Sequence, residues 1–238
     1  MQKILPSLLF LLLTKFTIAQ NVDVVDIKQF KALSKDKATE FIHPKTDTSA
    51  LQIVASFKAT GKDSTALPGD LYQLIKAMAR VRGSNCFIPR SFTYDSLKRL
   101  LIHIDAYYAT ESIMAANKAN YETNEVYVFG SEQSTKDSFS LKVNNGSKTF
   151  ASGTYLKFTL TEGKGLRLNK GGFTGGTWKL KYHKNQEPLY LMIIPGFAFG
   201  NGPLPPPGTI GVSFTTGKIL ELTDDYAQFL IQILKRSE

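Results

Sequence analysis

Residues 91–117 read Ser91-Phe-Thr-Tyr-Asp-Ser-Leu-Lys-Arg-Leu-Leu-Ile-His-Ile-Asp-Ala-Tyr-Tyr-Ala-Thr-Glu-Ser-Ile-Met-Ala-Ala-Asn117. This is the longest stretch with a helical apolar period. Leu97, Leu100, Leu101, Ile104 and Tyr108 share one stripe. Ile102, Ala106 and Ile113 fall on the far side, so the expected helix is apolar nearly all round and buried on more than one side. A break near Thr110 would split it in two and make Thr110 an N-cap, with Glu111 an exposed acid in the first turn.

Working outward toward the N-terminus, Gly69 to Arg82 predicts a second helix. Leu71, Leu74, Ile75 and Met78 form its stripe and Gly83 is placed to end it. Leu51 to Phe57 reads as a short strand, and Val24 to Ser34 as a weak helix. Toward the C-terminus the period changes from helical to alternating. Glu125–Gly130, Ser138–Val143, Thr149–Thr161, Thr177–His183, Leu189–Ile194 and Thr209–Thr215 read as strands. Turn signals separate them at Asn144-Asn145-Gly146, Glu162-Gly163-Lys164-Gly165 and Thr216-Gly217-Lys218. A last helix runs from Asp224 to Lys235 behind a candidate N-cap, Thr223, with Lys235 and Arg236 suited to its C-terminal dipole. The expected fold class is α+β: N-terminal helices packed on a C-terminal antiparallel β-sheet, with a closing C-terminal helix. A single domain over 20–238 is expected, with a seam near 117–124.

Composition narrows the classes. Of 238 residues, 42% are hydrophobic and 21% charged, which excludes a disordered or collagen-like chain. The one cysteine, Cys86, excludes an internal disulfide and a Cys-rich zinc site, and it is expected to be buried. The first nineteen residues resemble a secretory signal. Lys3 supplies a positive start, Ile4 to Leu13 an apolar run too short to span a membrane, and Thr17 and Ala19 small residues at a cleavage site. Cleavage after Ala19 is the expectation, giving a secreted or periplasmic protein with no transmembrane segment.

The sites that can be named are few. No nucleophile elbow, phosphate loop, zinc-protease motif, dinucleotide fingerprint or specific nucleic-acid motif is present, so no cofactor and no metal are expected. On a continuous helix, His103, Tyr107 and Glu111 lie along one side. Glu111 also falls on the apolar stripe, where burial would raise its pKa and suit it to general-acid work. Glu111 and His103 are therefore the weak catalytic candidates. Two loops stand out, a glycine-rich one over 171–176 and a Pro/Gly one over 195–208, and Phe197 and Phe199 of the second are candidates either to contact a ligand or to fold back as a plug on the core.

Charge is the sharpest feature. The chain carries 29 Lys and Arg against 20 Asp and Glu. Between Gly163 and Gln186 lie Lys164, Arg167, Lys170, Lys179, Lys181 and Lys184, with no acid. Alternation puts Lys179, Lys181 and His183 on one side of a strand and Trp178, Leu180 and Tyr182 on the other. A basic sheet face is a footprint for an anionic polymer or surface; a solvated face is the plain alternative. The leading expectation is a secreted, non-enzymatic binding protein using Lys164, Arg167, Lys170, Lys179, Lys181, His183, Phe197 and Phe199. The rivals are a secreted hydrolase of an extracellular polymer using a buried carboxylate, and a structural envelope component.

Overall fold

A computed structural model describes residues 21–26, 39–64, 66–130, 132, 138–170, 176–194 and 218–237. In chain order these form β1 (Asn21–Asp26), β2 (Glu40–Phe41), β3 (Gln52–Thr60), α1 (Pro68–Val81), β4 (Cys86–Tyr94), β5 (Leu100–Tyr108), α2 (Glu111–Ala119) and β6 (Glu125–Phe129). There follow β7 (Ser138–Val143), β8 (Gly146–Ala151), β9 (Thr154–Thr159), β10 (Leu166–Asn169), β11 (Thr177–Leu180), β12 (Leu189–Ile194), β13 (Lys218–Glu221), α3 (Asp224–Ile233) and β14 (Lys235–Arg236).

The strands make three sheets: sheet I, β1-β3-β5-β4-β2; sheet II, β13-β12-β6-β9-β14; and sheet III, β11-β10-β7-β8. The expected architecture is overturned. The chain is mostly β, its N-terminal half builds a five-stranded sheet of its own, and the described residues contain only three helices. Sheets I and II are also mixed, because β2–β4, β6–β12 and β9–β14 pair in parallel, whereas sheet III is antiparallel throughout.

The stretch over 91–117 is where the helical reading fails. It forms the end of β4, a hairpin turn, all of β5, and only then α2. β5 lies between β3 and β4, so both its edges are hydrogen-bonded. Leu100, Ile102, Ile104 and Ala106 are buried in the core at a strict period of two. A central strand with apolar residues on one face and half-covered residues on the other satisfies the helical period by accident. β-branched Ile102 and Ile104 and aromatic Tyr107 and Tyr108 favour the strand. The turn was concealed because it contains no glycine. Asp95 Oδ1 accepts from the N–H groups of Leu97 and Arg99, and Lys98 holds the left-handed position at φ 60°. Val24 is likewise in a strand, β1, rather than in a helix.

Other elements keep closer to their sequence signals, although the single strand expected over Thr149–Thr161 is the end of β8, a turn and β9, which belong to different sheets, and the strand expected over Thr209–Thr215 lies outside the described residues. α1 starts with Pro68, whose fixed φ suits the first helical position. It ends in a Schellman motif: Gly83 N–H donates to Arg80 O, Ser84 N–H to Ala79 O, and Gly83 adopts φ 90°. α3 stops at Ile233, and Lys235 and Arg236 pair with Thr154 and Tyr155 of β9 instead of extending the helix.

Two large apolar clusters hold the layers. In the first, Leu71, Tyr72 and Ile75 of α1 and Ala227, Phe229 and Leu230 of α3 meet the inner face of sheet I; Phe129 and Tyr190 of sheet II join them. Phe229 stacks on Tyr72 at 4.6 Å between ring centres and lies edge-on to Phe92 at 5.7 Å. In the second, Val126, Val128, Leu156, Leu191 and Ile193 of sheet II pack on Phe139, Leu141, Phe150, Leu166 and Leu168 of sheet III. Sheet II is thus covered on both faces, which explains the nearly unbroken apolar run of β6. Among the described residues, sheet III is covered on one face only. Its other face is the outermost layer of the described structure.

Candidate functional site

The outer face of sheet III is set by the alternation of its strands. Leu166 and Leu168 turn inward and are buried, so Arg167 and Asn169 turn outward. In β7, Phe139 and Leu141 are buried while Ser138, Ser140 and Lys142 are exposed. Lys142 stands opposite Asn169. Arg167 stands directly opposite Lys179 of β11. Like charges directly opposed across a ladder are unfavourable. Among the described residues, no carboxylate pairs with Lys142, Arg167, Lys179 or Lys181. The four strands themselves contain no Asp or Glu. The cations are interleaved with hydroxyl and amide groups, those of Ser140, Ser147, Asn169 and Thr177. Asn169 donates to the Thr177 hydroxyl, and the Ser140 and Ser147 hydroxyls meet at 3.1 Å.

The remaining basic candidates are less central. Lys181 and His183 are exposed but lie past the end of β11, which stops at Leu180. Alternating burial nevertheless continues, since Trp178, Leu180 and Tyr182 all pack against the second cluster. Lys164 is exposed in the turn before β10, where its N–H donates to Thr161 O. Lys170 is half-buried, with Nζ 5.9 Å from the centre of the Phe139 ring. Phe197, Phe199 and the loop over 171–175 lie outside the described residues. Lys142 escaped the sequence reading, although its signal was available. From Ser138 to Gln186 the only acid is Glu162, against nine Lys and Arg.

His103 and Glu111 do not form the expected pair. His103 is on β5, while Glu111 is an exposed residue in the first turn of α2 behind Thr110. No continuous helix joins them. His103 instead belongs to a polar cluster on the outer face of sheet I. Ser56 Oγ of β3 donates to Asp105 Oδ1 at 2.6 Å and lies 2.9 Å from His103 Nε2. Arg90 Nε of β4 donates to Asp105 Oδ2 at 2.6 Å, and an Arg90 terminal nitrogen donates to the Tyr107 hydroxyl at 2.9 Å. Burial alone would raise the Asp105 pKa, but the Ser56 hydroxyl and the Arg90 guanidinium outweigh it and hold the carboxyl below its usual range.

Serine, histidine and aspartate together invite comparison with a nucleophilic triad, and the geometry differs. A hydroxyl has one proton. Ser56 gives it to the carboxylate, so His103 Nε2 must donate to Ser56 rather than take its proton. Asp105 Oδ1 lies 3.7 Å from that same Nε2, whereas a triad places the carboxylate on Nδ1. The cluster is a clamp across β3, β5 and β4. Its signal was His103, Asp105 and Tyr107 at a period of two, legible only once the stretch is read as a strand.

Two other sets of titratable residues lie elsewhere in the fold. Cys86 is fully buried and burial pushes its thiol up to about 12, so it is an inert core residue. Glu40, Glu187 and Asp224 line a small cleft of about 60 Å³ with Lys118, Tyr121 and Tyr190. Burial raises the pKa of both Glu40 and Asp224, opposed by the Lys118 ammonium. The described residues hold no group of three or more His, Cys, Asp or Glu arranged for a metal ion, and no helix among them is long and apolar enough to cross a membrane.

No family model, curated protein or solved structure matches this chain. The basic face must therefore be judged on its own chemistry. Adjacent strands lie about 4.8 Å apart, so four strands present a ledge roughly 14 Å wide. That is broad enough for one extended polymer chain to lie across it.

Proposed function

We propose that this is a secreted binding protein that holds an anionic polymer on the outer face of sheet III. The observation that carries the reading is the opposed pair Arg167 and Lys179 on an acid-free sheet face. A face that only needs to be wet gains nothing from placing two cations against each other, and one acid in either place would relieve them. A bound polyanion relieves both. The hydroxyl and amide groups between the cations suit a polymer with many hydrogen-bonding groups, such as an acidic polysaccharide. The signal-like residues 1–19 support export to where such polymers occur.

Retention on heparin across a salt gradient tests this. The wild type should elute at clearly higher salt than the K179S/K181S variant, because each cation removed releases fewer counterions. Identical elution of the two proteins would reject the reading.

A further inference from the structure

The pair Arg167 and Lys179 owes its closeness to a residue outside the strands, Asn144. β7 and β10 pair at Val143–Leu168 and Lys142–Asn169. One step further, where β7 has ended, Asn144 continues the pairing. Its N–H donates to Arg167 O at 2.8 Å, and its side-chain Oδ1 accepts from Arg167 N–H, also at 2.8 Å. The side-chain amide takes the place of the backbone carbonyl that a longer strand would offer, because Asn144 has already entered the turn at φ 52°.

The N–H and C=O of one strand residue point to the same edge. Both main-chain groups of Arg167 are taken by Asn144, so neither is directed at β11. Arg167 and Lys179 are therefore a non-hydrogen-bonded pair, the closer of the two kinds, with Cα atoms about 4.5 Å apart rather than about 5.5 Å and side chains nearer. The two cations confront each other at the tightest position an antiparallel ladder has.

The residue type at 144 is informative. Left-handed backbone suits glycine, asparagine and aspartate. Glycine has no acceptor for Arg167 N–H. Aspartate would accept at least as well, since a charged acceptor bonds more strongly, but it would set a carboxylate beside Arg167. Asparagine accepts the bond and leaves the face free of acid.

We propose that Arg167 and Lys179 form one subsite that closes on a single oxyanion of the polymer, and that Asn144 is the positioning residue that builds it. This subsite presupposes the polymer-binding reading given above. An oxyanion between the two side chains replaces their repulsion with charge-assisted contacts, and the planar guanidinium meets two of its oxygens at once. A carboxylate, a sulfate ester and a phosphate ester all offer that pair of oxygens.

Affinities of the full chain for a heparin oligosaccharide, a galacturonate oligomer and polyphosphate test the subsite, and their ranking identifies the preferred group. R167Q and K179Q should each weaken the best of the three about tenfold, since each removes one charge-assisted contact. Because the two share one group, the double variant should lose clearly less than the roughly hundredfold product of the singles. N144D should melt no lower than the wild type yet bind about tenfold more weakly. N145D makes the same charge change on the exposed neighbour that does not hold Arg167, and it should lose much less. Losses that simply multiply in the double variant, equal losses in N144D and N145D, or a lower melt in N144D would overturn the subsite and leave the polymer-binding reading standing. Equal elution of wild type and K179S/K181S from heparin, or no binding of any of the three probes, would reject that reading and the subsite with it.

Discussion

Replacing Lys179 by Glu should make the protein more stable and cost it its polyanion. Lys179 and Arg167 are direct cross-strand partners on an exposed face. Such partners have Cβ atoms about 4.5–5.5 Å apart, and a charge pair there is worth about 0.2–1 kcal/mol, with the sign set by the charges. The substitution removes one unfavourable pair and installs one favourable pair, a gain of about 0.4–2 kcal/mol at low ionic strength. For a chain of this size that corresponds to a rise in Tm of roughly 2–4 °C per kcal/mol. Lys and Glu are both mildly depleted in strands, so strand propensity nearly cancels. The gain should shrink in about 1 M salt, where the Debye length falls to about 3 Å. K179M, which removes the charge and keeps the length, should show roughly half the low-salt gain. Urea titrations and thermal melts at low and high salt, run beside heparin elution, measure both sides of the exchange. If K179E is no more stable than the wild type at low salt, Arg167 and Lys179 do not repel and the main support for the binding face is lost. Stabilisation without loss of heparin retention would place the footprint elsewhere.

Three other outcomes are expected. F229A should destabilise by about 3–5 kcal/mol in urea titration, because Phe229 is fully buried and stacks on Tyr72 between α1, α3 and sheet I; a loss of a few tenths would mean α3 does not pack there. Burial raises the Glu40 and Asp224 pKa values, so the folded state keeps protons that the unfolded chain releases. Stability should then fall as pH rises from the ordinary carboxylate range through the raised values, and E40Q and D224N should flatten that fall; an unchanged pH profile of the urea midpoint would refute the burial argument. Asp105 has the opposite sign: its lowered pKa gives stability that is present above the ordinary Asp range and lost as pH falls through the folded value, and D105N should remove that part of the acid limb.

Local signals were sufficient wherever one short segment carried its own punctuation. Pro68 and Gly83 bracket α1, and both residues act as their chemistry requires. Asn144 takes φ 52° in the two-residue turn between β7 and β8, where Asn-Asn-Gly had been read as a turn. β6, β7 and β12 fall on segments whose sequences read as strands. The concentration of positive charge between 163 and 186 is a property of composition, and no folding was needed to see it.

Pairing is another matter, because it depends on what lies beside a segment. Nothing within residues 100–108 says that β3 and β4 flank them on both edges, and a strand so enclosed loses the polar-apolar contrast that would distinguish it from a buried helix. That one ambiguity turned the N-terminal half from sheet to helix and separated Asp105 from Ser56 and Arg90, which come from strands 49 and 15 residues distant. Register decided the rest. Arg167 meets Lys179 because β10 and β11 pair with that alignment, and Lys148 faces inward because β8 pairs with β7 with Gly146 opposite Val143. A shift of one residue would send either side chain to the opposite face, since side chains along a strand repeat every two residues. The amount of charge is written along the chain; which charges confront each other, and which line a cavity, follows from long-range hydrogen bonding that no single segment contains.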